Sequence, residues 1–280
     1  MRSNLSNLLF LSALCVLCGL CDSSLAQTTR ATSRPGGNVV PPPRRDVPGQ
    51  RIKLASGELF VPDFVHENED GKTDLAIWFL GATWCAEQVF YDAHKNAALL
   101  VVNAAALKRG FPEASQFDDL LKETNRPIGK VCLISFSGGY TAVRDLLRHE
   151  TIAARISDVV LLDSLYAPRI GEKKDQLDPV AMAPFLAFAR RASEGNATFL
   201  FSHLYPPEEQ YRTNTTTLAA NFLIDALHLE RKTAAGKDLY RADKLNCHIL
   251  GVAGMTNQDH FDHFYNAADR LRAMSLENAK

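Results

Sequence analysis

Six short, nearly unbroken apolar runs, spaced along the chain and separated by stretches of helical periodicity, restrict what this sequence can fold into. The runs are Leu75–Gly81, Leu99–Asn103, Val131–Ser135, Val159–Leu162, Thr198–Ser202 and His248–Ala253. A strand that faces solvent on one side alternates apolar and polar residues. These do not, so they read as strands buried on both faces of a parallel sheet. Helices are expected between them at Ala86–Lys95, Ser115–Glu123, Gly139–His149, Asp178–Ala192, Thr216–Leu229 and His260–Met274. Phe117, Leu120 and Leu121 repeat at helical spacing, as do Val143, Leu146 and Leu147. Asp178-Pro179 is an N-cap followed by proline at the first helical position. Arg51–Pro62 alternates around Ser56-Gly57 and predicts a hairpin at one sheet edge. The expected class is α/β: a doubly wound, mostly parallel sheet flanked by helices. Ligands of such sheets sit at the carboxyl ends of the strands.

The ends of the chain read differently. Arg2 followed by the apolar stretch Leu8 to Leu20 has the length of an export signal, and Ser24-Leu25-Ala26 offers small residues for cleavage after Ala26. Residues 1–26 are therefore expected to be a signal peptide. A lipid anchor at Cys21 is the rival, disfavoured because Leu20 stands where a small residue is wanted. Residues 27–49, with Pro41-Pro42-Pro43, are expected to form a disordered lead-in. Residues 50–280 are long enough for one domain with a sizeable core. The expected location is the periplasm or the extracellular space, without stable membrane insertion. The formal net charge of -1 leaves no polyelectrolyte footprint, so nucleic acid is not an expected partner. Of six cysteines, Cys85, Cys132 and Cys247 lie beyond the signal. Cys132 and Cys247 fall in strand-like runs that suit buried thiols, and spacing leaves a disulfide among the three open.

Ser135-Phe136-Ser137-Gly138-Gly139 joins the strand ending near Ile134 to the helix that begins at Gly139. A strand-to-helix turn this sharp crowds the positions two before and two after its apex, and Ser135 and Gly139 are small. The apex, Ser137, would be held in a strained conformation with its hydroxyl projected outward, as in the G-x-S-x-G elbow. Ser135 stands where that pattern has glycine. A serine hydroxyl needs a histidine to take its proton and a carboxylate to orient the histidine. His260 and His263 follow the last strand, in Asp259-His260-Phe261-Asp262-His263. His260, nearer the loop, is the preferred base, and His263 is either the alternative or a residue packed behind it. Asp163 ends the run Val159–Leu162 and is the preferred acid. The strand after it leads into Ser202-His203-Leu204-Tyr205, with Glu208 and Glu209 only beyond two prolines. The oxyanion hole is expected from the backbone N–H of Gly138 and of Ala82 or Thr83, in the loop Gly81-Ala82-Thr83-Trp84. Trp84, Tyr166 and His203 are candidate pocket walls, in or beside loops that also carry Arg169, Tyr211 and Arg212.

Over about Arg51 to Met274 the chain resembles the α/β-hydrolase superfamily, in an exported bacterial branch with a small-residue elbow and a D-H-x-D-H ending. The residues that carry the resemblance are Ser135–Gly139, Asp163, His260, His263 and Gly81–Trp84. It implies the order serine, acid, histidine along the chain and hydrolysis of an ester, thioester or amide. It also implies that an acid at Asp163, after the strand next to the elbow, is an alternative position known for the fold. Many relatives have an H-x-H-G-like run at the oxyanion loop. Trp78-Phe79-Leu80-Gly81 keeps only the glycine, so the loop's help would come from backbone. The expected substrate is a small molecule or polymer end bearing an acyl group, and no cofactor or metal is expected. Three other readings compete: a metal-dependent hydrolase built on Asp259–His263, a non-catalytic binding protein on the same fold, and a redox protein with Cys85. The last fails the C-x-x-C pattern, because Gln88 stands where the second cysteine would be.

Overall fold

The computed structural model describes residues 38–171, 176–206, 215–234, 236 and 238–279. The expected signal peptide, with Cys21, and Glu208, Glu209, Tyr211 and Arg212 lie outside the described residues.

The elements run β1 Gly49–Lys53, β2 Gly57–Pro62, β3 Thr73–Phe79, α1 Thr83–Ala93, β4 Ala98–Val102, α2 Ala104–Arg109 and α3 Ser115–Glu123. Next come β5 Ile128–Phe136, a 3-10 turn at Ser137–Gly139, α4 Tyr140–Leu147, α5 Glu150–Ala153, β6 Ile156–Leu162, β7 Arg169–Ile170, β8 Gln176–Leu177 and α6 Pro179–Ser193. The chain closes with β9 Thr198–Tyr205, α7 Thr215–Leu227, β10 Arg231–Thr233, β11 Asp238–Lys244, β12 Cys247–Ala253, α8 Asn257–Tyr265 and α9 Ala268–Leu271.

Ten strands form one sheet in the order β1-β2-β4-β3-β5-β6-β9-β12-β11-β10. The six from β4 to β12 are mutually parallel. Antiparallel pairs close both edges: β1–β2 and β2–β4 on one side, β12–β11 and β11–β10 on the other. The six parallel strands are those marked by the unbroken apolar runs, and β1–β2 is the expected hairpin.

Residues of each strand alternate between two cores. Ile77, Phe79, Leu133, Val159, Leu161 and Phe201 pack with α3, α4, α6 and α7 on one face. Trp78, Ile134, Phe136, Val160 and Leu162 pack with α1, α8 and α9 on the other. Both faces are covered, which is why the strands carry no polar alternation. Asp178 caps α6, accepting from the Val180 N–H at 2.9 Å.

Several expectations are corrected. The helix expected over His260–Met274 starts earlier and breaks at Asn266 into α8 and α9. The β9 strand runs three residues past Ser202, through Tyr205. Strands β10 and β11 and the short helix α2 were not expected. The lead-in is described from residue 38, where it has no helix or strand until β1 begins at Gly49. It lies along α1: the Arg45 N–H donates to Gln88 Oε1 at 3.0 Å, Gln88 Nε2 donates to the Pro43 carbonyl at 3.2 Å, and Val47 is buried. Cys85, Cys132 and Cys247 are buried free thiols, and burial pushes Cys85 and Cys247 up to about 12. Among the described residues no helix is long and apolar enough to cross a membrane.

Candidate active site

Ser137 and Asp163 follow the carboxyl ends of two parallel strands, and His260 reaches Asp163 there. Phe136, the last residue of β5, pairs with Leu162, the last residue of β6. Ser137 and Asp163 therefore leave adjacent strands side by side. Both leave in the left-handed region, Ser137 at φ 52° and Asp163 at φ 42°, conformations that a non-glycine residue adopts at a cost of about 1 kcal/mol or more. A positive φ at a strand end swings the chain sharply out of the sheet, which ends the strand and exposes the next peptide units to the edge.

Gly139 is fixed by space. A Cβ there would lie 2.2 Å from the Phe79 carbonyl oxygen, so the elbow packs directly on the end of β3. That contact brings the loop after β3 beside Ser137. Leu80 has φ 70° and Gly81 φ 144°, and a side chain on Gly81 would strike the Phe264 ring at 2.9 Å. Ala82 then enters α1 as its N-cap with extended backbone, and Thr83 is the first helical residue. Backbone N–H groups at a helix start have no partner inside the helix. Ala82 and Thr83 stand at the start of α1, in the loop that follows β3, and Gly138 stands in the 3-10 turn after β5.

Asp163 is completely buried and lies 2.6 Å, Oδ2 to Nδ1, from His260. Its Oδ1 accepts the Leu204 N–H at 3.1 Å. The carboxylate is thus held from β9 while it holds the imidazole. His260 comes from the first turn of α8, which Thr256 and Asp259 fix by a capping box. Phe136 lies under the imidazole, with ring centroids 4.6 Å apart, and stacks on Phe264 at 5.2 Å. The unspecified residue of the elbow motif therefore supports the histidine. Nδ1 of His260 is thereby committed to the carboxylate.

His263 is placed otherwise. It is buried one turn further along α8, with Nδ1 2.9 Å from Ser202 Oγ, and burial pushes it down to about 3, so it is neutral. It lies near Asp163 and His260, and its buried Nε2 has no hydrogen-bond partner among the described residues. His203, expected at a pocket wall, is a core residue. It is fully buried in the extended part of β9, 2.6 Å from the Tyr240 hydroxyl, and burial brings it down to about 4. Tyr166 is half-buried, its hydroxyl donating to the Asp163 carbonyl at 3.3 Å and its ring 5.5 Å from Tyr140. Trp84 and Thr83 line a cavity of about 260 Å³ with Arg44, Arg51, Glu58 and Glu87. Ser137 and His260 are not among its walls.

Asp259 turns its carboxylate back on its own helix start, accepting from the Met255 and Thr256 N–H groups at 2.9 Å. Among the described residues no three His, Cys, Asp or Glu side chains cluster so as to hold a metal ion.

Two polar residues escaped the sequence reading. Ser164 and Ser202 are both fully buried at this edge. Ser164 follows the acid and donates to the Ser137 carbonyl at 2.7 Å, which ties the elbow to the turn that carries Asp163. Neither sits in a motif, so only its place at a strand end could have marked it. Against protein-family models and curated proteins, the chain gives no match.

Proposed function

We propose that this protein is an exported serine hydrolase of the α/β-hydrolase type, cleaving a carboxylic ester, or a thioester or amide, through an acyl-enzyme. The observation that carries the reading is the buried Asp163–His260 pair at 2.6 Å, beside a serine at the apex of a left-handed elbow. In this reading His260 Nε2 takes the Ser137 proton as Oγ attacks the acyl carbon. The Asp163 carboxylate stabilises the resulting imidazolium. The N–H groups of Gly138 and of Ala82 or Thr83 receive the negative charge that develops on the carbonyl oxygen. His260 then returns the proton to the leaving group, and water repeats the sequence on the acyl-enzyme. Asp163 and His260 are 97 positions apart in the chain, and a buried ionisable pair brought together at a strand edge is a candidate functional pair.

The test is hydrolysis of a short p-nitrophenyl ester by the mature chain. Turnover should survive a chelator, be lost in Ser137→Ala with the fold intact, and fall by about 10⁴ in His260→Ala but far less in His263→Ala. A fluorophosphonate should label Ser137. Full activity of Ser137→Ala would refute the assignment.

A further inference from the structure

We infer that Ser164 and Ser135 are positioning residues for the oxyanion hole, acting through a one-way chain of hydroxyls on the peptide that joins Ser137 to Gly138. The inference rests on the hydrolase reading and deepens it. Ser164 Oγ lies 2.7 Å from the Ser137 carbonyl oxygen and 2.8 Å from Ser135 Oγ, and all three residues are buried. A carbonyl oxygen only accepts, so the single Ser164 proton points to Ser137. Ser135 must then donate to Ser164. The direction of the chain is fixed: Ser135 to Ser164 to the Ser137 carbonyl.

That carbonyl shares its peptide unit with the Gly138 N–H. The peptide bond is trans, so carbonyl and N–H point in opposite directions. Anchoring the oxygen inward aims the N–H outward, toward the edge where the substrate carbonyl would lie. The anchor is needed because Ser137, at φ 52°, is strained, and rotation of this peptide unit is a route to relief. A rotated peptide would present its oxygen to the developing oxyanion in place of a donor. Hydrogen bonds onto a peptide carbonyl also polarise the unit, strengthening its N–H as a donor by roughly 10–30% per bond.

Ser135 thereby acquires a reason to stand where the elbow motif has glycine. It is small enough for the turn, and its hydroxyl is the first link of the chain. Ser164 follows Asp163 directly, so the left-handed turn at Asp163 sends consecutive side chains to the base and to the nucleophile's peptide.

The experiment compares Ser164→Ala, Ser135→Ala and the double variant with the wild type on p-nitrophenyl acetate, and measures the inhibition constant of a trifluoromethyl ketone, whose adduct places an oxyanion in the hole. Removing a donor outright costs about 10²–10³ in kcat, so losing its orientation in Ser164→Ala should cost about 10- to 30-fold, with KM within about two-fold. The ketone should weaken by the same factor as kcat. Ser135→Ala should cost about two- to three-fold, and the double variant no more than Ser164→Ala, because Ser135 acts only through Ser164. Wild-type kcat in Ser164→Ala, loss of kcat without weakening of the ketone, or independent additive losses at the two serines would overturn the inference. If Ser164→Ala does not fold, Ser135→Ala alone decides by the same paired loss of kcat and ketone affinity. A wild-type chain that neither hydrolyses the ester nor is labelled at Ser137 would instead remove the hydrolase reading, and this inference with it.

Discussion

Replacing Asp163 by asparagine separates the orienting role of the carboxylate from its bulk. The carboxylate has two committed oxygens: Oδ1 receives the Leu204 N–H at 3.1 Å, and Oδ2 faces His260 Nδ1 at 2.6 Å. An amide has one acceptor and one donor end. If its NH2 faced Leu204, two donors would meet in a fully buried place, a cost of about 1–3 kcal/mol. The amide oxygen therefore stays on Leu204 and the NH2 faces His260. Nδ1 must now accept, the imidazole proton moves to Nε2, and Nε2 can no longer take the Ser137 proton. The loss in kcat should be about 10⁴, equivalent to about 5.4 kcal/mol of barrier. Stability should change by only about 2 kcal/mol or less, because the Leu204 bond survives and a buried charge is removed. Steady-state hydrolysis of p-nitrophenyl acetate and urea unfolding read the two quantities. A kcat within ten-fold of wild type, in a chain that unfolds at the same urea concentration, would refute the argument that Leu204 dictates the amide's orientation and that His260 depends on it.

Gly139→Ala should destabilise by about 3 kcal/mol, the upper end for overpacking, because the new Cβ meets the Phe79 backbone rather than a side chain that can move. Urea unfolding checks this, and a loss below about 0.5 kcal/mol would contradict the packing of the elbow on β3. Stability should also fall with acidity. His203 and His263 titrate near 4 and 3 in the folded chain against about 6.5 unfolded, so below pH 6.5 the unfolded chain binds protons that the native one does not. Their contribution is complete above pH 6.5 and declines as pH falls toward 4, by up to about 1.4 kcal/mol per pH unit for each imidazole. His203→Gln should flatten the slope of unfolding free energy between pH 6 and 4.5 by about that amount, and an unchanged slope would argue that His203 is not held neutral.

The sheet centre was legible because burial on both faces leaves its mark in composition. Strands β3, β4, β5, β6, β9 and β12 each contain most of one nearly unbroken apolar run. The edge beyond β12 was not legible, for the converse reason. Strand β11, Asp-Leu-Tyr-Arg-Ala-Asp-Lys, buries only Tyr240 and Ala242, and β10 buries none of its residues. Such segments are strands only because β12 offers β11 a ladder and β11 in turn offers one to β10. The extension of β9 was hidden similarly. His203 reads as a polar stop, yet the Tyr240 hydroxyl across the sheet satisfies its ring in the core.

The elbow, the acid and a histidine near the end of the chain are local statements, each confined to a few residues whose sizes and order obey the turn they make. The choice between His260 and His263 is not local. The two are three positions apart on one helix, so both can face the same side, and neither neighbour sequence says which reaches Asp163. The rotation of α8 decides it. Phe264 is clamped between Trp78 and Phe136, which turns His260 onto Phe136 and the carboxylate and leaves His263 against Ser202. The roles of Ser164 and Ser135 belong to the same class. Their hydroxyls acquire direction only when the ends of β5 and β6 lie side by side. Sequence determined which residues stand at the strand ends. Tertiary packing decided which of them touch, because contacts between residues far apart in the chain are set by how the layers seat on one another.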